Sequence, residues 1–333
     1  MVETLYNYSK IKIELPMKTI ITIDGGLGRA LTALPAILYF AEKHKEEDFY
    51  FMIHGWDFLS WGFPQLQGRT FNPESKGIFE SYFWDADKVI SPEPYKDPEY
   101  YRGEINLIQA FHKEINNSTD YENLSSDYIK LSQFEDLKGY QIIHEAKELQ
   151  KKQKTIVVQP YGSTANRCPL GIFDPSYRSF PQDFYEELIK KLSLNYNIVY
   201  MGAQEYHDGI SYKPQPDPNM REWIAVIKAA DYFIGCDSCG QHFAKVVNTP
   251  ASVFIAGTHK NNVSYPDVFH IIERDCKYYP APMRICSFDS SLAVRLNEER
   301  IKFTENEKND VYCEIINRLE TKKEFTVKGL SYG

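Results

Sequence analysis

One local pattern occurs twice in this chain: a short apolar strand that runs into small polar residues and straight on into a helix. Near the start, Ile20-Ile21-Thr22-Ile23 leads into Asp24-Gly25-Gly26-Leu27-Gly28. Much later, Tyr232-Phe233-Ile234 leads into Gly235-Cys236-Asp237-Ser238-Cys239-Gly240-Gln241-His242, and Phe243-Ala244-Lys245-Val246-Val247 continues as a helix-like segment. Strand–turn–helix order constrains the fold, because parallel neighbours in a sheet need a crossover that a helix normally supplies. The turn is also a ready anion site. The first N–H groups of a helix lack partners, and the positive end of its dipole faces the same way. Two such turns in one chain predict a ligand held between two α/β halves.

The rest of the chain fits that expectation. Its 333 residues allow two domains of ordinary size. In the first half a strand is predicted at Thr19–Ile23 and a helix over 29–44, with Leu31, Leu34, Ile37, Leu38 and Ala41 at helical spacing. Pro35 is expected within the first turns of that helix, where a missing N–H matters least. A strand follows at Phe49–Ile53. From 55 to 117 the pattern is irregular and aromatic, with a short strand at Val89-Ile90, and 118–140 takes no assignment. The aromatic residues there are either core or a stacking platform for a sugar or base. A lysine-rich stretch at 147–154 suggests a division into domains 1–150 and 151–333. In the second half, strands at 155–158, 197–201, 232–235 and 251–255 alternate with helices at 182–194 and 221–230, which predicts a parallel sheet covered on both faces.

Composition narrows the classes. Hydrophobic residues at 43% and aromatic residues at 14% rule out a disordered chain. A formal charge of −8 argues against indiscriminate nucleic-acid binding, while a local basic cleft stays open. No run reaches the ~18–20 apolar residues of a membrane span. The first twelve residues carry no charged-then-apolar leader pattern. Six cysteines do not make a dense disulfide framework, so reduced thiols and a cytoplasmic location are the expectation. Cys236 and Cys239 form a CxxC without a second pair at zinc-like spacing, so no metal site is expected.

At this level the second half resembles the family 9, heptosyltransferase-like glycosyltransferases. The resemblance rests on Val157-Val158-Gln159-Pro160-Tyr161-Gly162-Ser163-Thr164, Arg178-Ser179-Phe180-Pro181, Tyr200-Met201-Gly202-Ala203-Gln204-Glu205 and Ala230-Asp231-Tyr232-Phe233-Ile234-Gly235-Cys236-Asp237-Ser238. Gln241-His242-Phe243-Ala244-Lys245 and Ile255-Ala256-Gly257-Thr258 complete it, and Gly28-Arg29-Ala30-Leu31-Thr32-Ala33-Leu34-Pro35-Ala36 is similar to the family's opening turn. Residues 55–150 carry no resemblance.

The resemblance implies a GT-B fold, two Rossmann-like domains with a ligand cleft between them. It implies inverting transfer of a sugar from a nucleotide-diphosphate donor to an acceptor hydroxyl, with no cofactor or metal required. The donor would lie on the C-terminal domain and the acceptor on the N-terminal one. By position, Asp237, Ser238, Cys239 and Gly240 match the turn that holds the diphosphate, and His242 matches a family histidine beside it. Ser163 and Thr164 match hydroxyls near the phosphates, Arg178 a lysine that offsets leaving-group charge, Glu205 an acid at the ribose, and Met220 lies in the loop at the nucleobase. A guanidinium and preorganised N–H groups suit a departing diphosphate.

The first half departs from the family at one position. Where the family carries its aspartate base, this chain has Arg29, and an arginine cannot take a proton at neutral pH. Asp24 is the nearest replacement. Gly25, Gly26 and Gly28 also resemble the glycine turn of some fucosyltransferases, where a following basic residue touches donor phosphate, which reads Arg29 as a phosphate or acceptor anchor. Bland readings stand beside these: a tight glycine turn, a helix cap at Asp237, a packed His242, a surface Arg178. The acceptor is a saccharide or, less favoured by the charge, a hydroxymethylated base in viral DNA. The alternative class is a non-catalytic nucleotide-sugar or glycan-binding protein, for which Arg29 is the best argument.

Overall fold

In the computed structural model, which describes residues 17–169, 171–174, 176–256, 259–274 and 301–321, the chain forms two parallel sheets. The first contains β1 (Thr19–Ile23), β2 (Phe49–Ile53), β3 (Thr70–Phe71) and β4 (Lys88–Ile90), in the order β3-β2-β1-β4. Its pairings are all parallel. The first twelve residues, read above as lacking a leader pattern, and the Gly257-Thr258 motif lie outside the described residues.

Helix α1 (Leu27–Lys43) joins β1 to β2, and Leu31, Leu34, Ile37, Leu38 and Ala41 are all buried on it. It begins two residues earlier than its apolar spacing predicts, with Gly26 as N-cap. Pro35 therefore stands in the helix interior, eight residues past Leu27, and not in the first turns. The helix tolerates the lost N–H because nearly all its residues are packed, so tertiary burial outweighs local propensity.

The middle of the chain holds a short helix α2 (Pro98–Tyr101) and two longer ones, α3 (Leu107–Asn116) and α4 (Gln133–Gln150). Both longer helices start at reciprocal capping boxes, Asn106 with Gln109 and Ser132 with Glu135. Although α4 lies in the first of the two expected domains and ends inside the lysine-rich stretch, it packs on the second half. Gln150 exchanges hydrogen bonds with the backbone of Ile198, and a Cβ on Gly139 would lie 2.5 Å from the carbonyl carbon of Ala225.

The second sheet contains β5 (Thr155–Gln159), β8 (Asn197–Tyr200), β9 (Tyr232–Cys236), β10 (Ala251–Ile255) and β11 (His270–Glu273), in the order β11-β10-β9-β5-β8. All its pairings are parallel. An antiparallel hairpin of β6 (Asn166–Cys168) and β7 (Gly171–Phe173) is inserted after β5. Helices α5 (Gln182–Leu192), α6 (Met220–Ala229), α7 (Cys239–Val246), α8 (Lys260–Val263) and α9 (Glu305–Glu320) complete this half.

One apolar cluster crosses between the halves, from α1, β2 and α3 into α6 and α7. Polar contacts reinforce it. The buried Arg221 on α6 reaches Phe58 O at 3.2 Å, and Asn261 donates to Gly103 O at 3.3 Å.

Strand order locates the ligand crevices. Consecutive strands leave in opposite directions on either side of β1 in the first sheet and of β5 in the second. In open α/β sheets, ligands bind beyond the carboxyl ends of the strands at such reversals. The Asp24–Gly28 turn follows β1, Pro92-Glu93 follow β4, Gln159 ends β5, and the Asp237 turn follows β9. Both turns read from the sequence as phosphate cradles therefore open at a reversal point.

Candidate functional site

The two cradle turns touch. A Cβ on Gly28 would lie 2.8 Å from Cδ2 of His242 and 3.9 Å from Cα of Cys239. Only a glycine lets the start of α1 come this close to the start of α7. Gly25 has φ of 91°, a conformation that favours glycine, and its carbonyl accepts from Trp56 Nε1 at 2.9 Å. Gly26 caps α1 without any side-chain hydrogen bond to the helix start, and no atom lies within 4 Å of where its Cβ would be. The start of α1 thus has no side-chain cap and has open space beside it.

Arg29 takes a different place from an open anchor. It is 5% exposed, donates to Pro92 O at 2.9 Å and pairs with Glu93 at 3.2 Å and Asp24 at 3.2 Å. Its guanidinium lies over Tyr95 and Phe111, 4.9 and 5.2 Å from the ring centroids. These partners are all in the first half, so Arg29 bolts α1 to the loop after β4 and holds the exposed Asp24 beside the turn. The charge is buried because two carboxylates and two aromatic faces offset its lost hydration.

The second turn is more enclosed. Helix α7 starts at Cys239, four residues before its apolar run, and the N-cap is Ser238, not Asp237. Asp237 is 7% exposed, and its carboxylate accepts from Gln241 Nε2 at 3.1 Å. Burial pushes its pKa up to about 6, with Arg178 the main influence in the other direction. Its N–H donates to Arg178 O at 3.4 Å. The Gly240 N–H is already engaged, donating to Gln159 Oε1 at 2.9 Å. A Cβ on Gly240 would sit 2.4 Å from that oxygen and 2.5 Å from Cζ of Phe233. Gln159 also donates to Ser238 Oγ at 3.3 Å.

His242 is buried, and desolvation pushes its pKa down to about 4, so the ring is neutral at physiological pH. Its Nδ1 lies 2.8 Å from the hydroxyl of Tyr265, and the far edge of the ring faces Gly28. Cys236 and Cys239 are free thiols with pKa values raised by burial, as a structural pair would be. Among the described residues no group of three His, Cys, Asp or Glu could hold a metal ion.

Beside this turn, the half-buried Arg178 donates through Nε to Ser176 Oγ at 2.9 Å and through Nη2 to Thr164 Oγ1 at 3.2 Å. Among the described residues it has no ion pair. Ser163 is exposed next to Thr164. Glu205 is exposed on a single turn after β8, and Met220 is the half-buried first residue of α6. Neither makes a hydrogen bond to the Asp237 turn among the described residues. The structure therefore gathers Asp24 with Arg29, Gly28 with Cys239 and His242, and Thr164 with Arg178 and Asp237. Sequence reasoning missed Gln159, whose only signal is its place at the end of a strand, and Asp174, whose only signal is the turn-favouring residue type Asp.

Two Rossmann-like sheets that meet at their reversal points define the GT-B class of architecture. Solved structures narrow it further. The chain resembles the family 9 glycosyltransferase from Veillonella parvula with a TM-score of 0.59 and 9% identity, over 91% of this chain and 97% of that one. It resembles Escherichia coli ADP-heptose lipopolysaccharide heptosyltransferase II with a TM-score of 0.54 and 12% identity, over 90% and 100%. A third likeness is to the iron-containing dodecameric glycosyltransferase TibC of enterotoxigenic E. coli, with a TM-score of 0.55 and 14% identity over 92% and 80%. At these identities the likeness shows the fold. The sequence matches no protein-family model and no curated protein.

Proposed function

We propose that this chain is a glycosyltransferase that moves a sugar from a nucleotide-diphosphate donor to an acceptor hydroxyl. The observation that carries the reading is the contact between the starts of α1 and α7 at the two reversal points, with Arg178 next to it and no carboxylate paired to that guanidinium among the described residues. A diphosphate is the ligand such an arrangement suits: helix starts and a planar cation both stabilise its oxygens, and most strongly as charge builds on departure. Ser163, Thr164, Ser238 and Cys239 surround the same position. Glu205 and Met220 flank the nucleoside end.

Asp24 is the proposed base. Its carboxylate is exposed on the first half and held by Arg29 at 3.2 Å. In the proposed inverting step the acceptor oxygen attacks the anomeric carbon, the bond to the diphosphate breaks, and Asp24 takes the acceptor's proton. Arg29 is a holder of that carboxylate, which supports an enzyme over a binding protein that lost its base. The acceptor is a saccharide; the net charge of −8 weighs against DNA.

The test screens ADP-, GDP-, UDP- and CDP-activated sugars by thermal shift, then measures nucleotide release with saccharide acceptors. ADP-sugars come first, since a TibC structure contains ADP-D-β-D-heptose. Asp24→Asn is expected to keep the shift and lose release by about a hundredfold, the size of a general-base contribution. A shift without release from any acceptor would favour the binding protein, and no shift with any donor would end the reading.

A further inference from the structure

The inserted segment after β5 contains a buried carboxylate that neither the fold nor the proposed chemistry has used. Asp174 is 7% exposed and is surrounded by donors. Its Oδ1 accepts from Thr164 Oγ1 at 2.8 Å, from Ser176 N at 2.9 Å and from the Ser176 hydroxyl. Its Oδ2 accepts from Ser179 N at 3.0 Å and from the Ser179 hydroxyl. Burial opposes the charge, but the hydrogen bonds from Ser176, Ser179 and Thr164 together outweigh it and hold the carboxyl below its usual range. Asp174 is therefore an anion at neutral pH and can only accept.

That fixes the direction of the next bonds. Each hydroxyl has one proton. The Thr164 and Ser176 oxygens also lie 2.8 Å from each other, so both protons are used inside the cluster, on Asp174 or between the pair. What the hydroxyls offer outward is lone pairs. The Nε and Nη2 groups of Arg178 take them. A guanidinium has five N–H donors. With two of them held in this way, its plane is set, and the remaining donors have no acceptor among the described residues. The backbone of Arg178 is tied to the Asp237 turn.

We propose that Asp174 is a positioning residue for donor recognition: through Thr164 and Ser176 it sets the plane of Arg178 and turns that guanidinium's free N–H groups toward the diphosphate. This inference rests on the donor reading above. It also assigns Thr164 and Ser176 a role as acceptors for Arg178, so neither hydroxyl proton is left for phosphate. An Asn in place of Asp174 keeps only one acceptor oxygen, so whichever way its amide is seated an NH2 faces the N–H of Ser176 or Ser179, the cluster that orients the Thr164 and Ser176 hydroxyls is broken, and the guanidinium is unlocked.

The experiment is a double-mutant cycle on the full chain. Its readout is the dissociation constant, by calorimetry, of whichever of ADP, GDP, UDP and CDP binds most tightly. Asp174→Asn and Arg178→Ala are each expected to weaken binding about tenfold to a hundredfold, the effect of removing a charge-assisted hydrogen bond to the ligand. If Asp174 acts through Arg178, adding Asp174→Asn to Arg178→Ala weakens binding less than twofold further. A residue that merely folds the loop would multiply the two effects, and that result overturns the inference while leaving the donor reading intact. Should Asp174→Asn unfold, Thr164→Val with Ser176→Ala removes the two hydroxyls that link Asp174 to Arg178, leaves the Ser176 N and Ser179 bonds to Asp174 in place, and is held to the same criterion in both backgrounds. If none of the four diphosphates binds, the donor reading falls and takes this inference with it.

Discussion

Replacing Asp237 with Asn is expected to stabilise the folded protein at neutral pH and to expose a pH dependence that the native chain hides. Asp237 is buried, and its pKa rises from the ordinary 3.8 to about 6. Its folded form holds the proton more tightly than the unfolded chain does. That contribution is complete below pH 3.8 and is lost as pH rises through 6, a loss of about 3 kcal/mol by linkage. His242 behaves oppositely. Its pKa falls from 6.5 to about 4, so its contribution is present above pH 6.5 and is lost as pH falls through 4, again about 3 kcal/mol. Between pH 4 and 6 the two slopes oppose each other and nearly cancel. Asn keeps the oxygen that accepts from Gln241 and removes the titration. The variant should therefore match the native chain near pH 4 and exceed it by about 3 kcal/mol at pH 7, roughly 4 °C in Tm for a chain of this length. Urea unfolding of both proteins at matched pH values reads the difference directly, because all other titrations are common to both. A difference that stays constant with pH, or a variant less stable at pH 7, would refute the assignment of Asp237 as an ionised buried group.

Two further substitutions test the framework of the site. Gly28→Ala places a methyl 2.8 Å from Cδ2 of His242, and overpacking of this kind costs about 1–3 kcal/mol, visible as a lowered urea midpoint. Adding His242→Ala should recover most of that stability, and no recovery would mean that the strain lies elsewhere. Arg29→Leu leaves Pro92 O without its donor and removes the packing on Tyr95 and Phe111, while Asp24 stays solvated, and should destabilise by about 1–3 kcal/mol, whereas an arginine held only as a phosphate anchor could be replaced with little change in unfolding.

Much of this architecture is legible in the sequence, for identifiable reasons. Strands such as Ile20–Ile23 and Val157–Val158 are apolar runs bounded by polar turns, and burial on both faces makes that signal continuous. The starts of α3 and α4 are also encoded locally, in Asn106 with Gln109 and Ser132 with Glu135, but in a stretch whose aromatic and polar residues mask helical periodicity. The site divides in the same way. Turns announce themselves through glycine and small polar residues at strand ends. What a turn faces depends on distant residues, and no spacing rule places Gln159 on Gly240 or Glu93 on Arg29. Arg29 illustrates the limit: its position in the chain suggests an anion ligand, while its burial among Tyr95, Phe111 and Glu93 shows a fastening inside one half.

The Gln159 carboxamide seated on the Gly240 N–H changes what binding at α7 means. Under the proposed function, a diphosphate arriving there would exchange one acceptor for another, so its affinity would be a difference between two ligands of the same amide, one of them permanently tethered. The tether also acts on the way out. In the proposed reaction the nucleotide product would meet the same tethered competitor as the donor, so the carboxamide would weaken both alike and hasten the release of each.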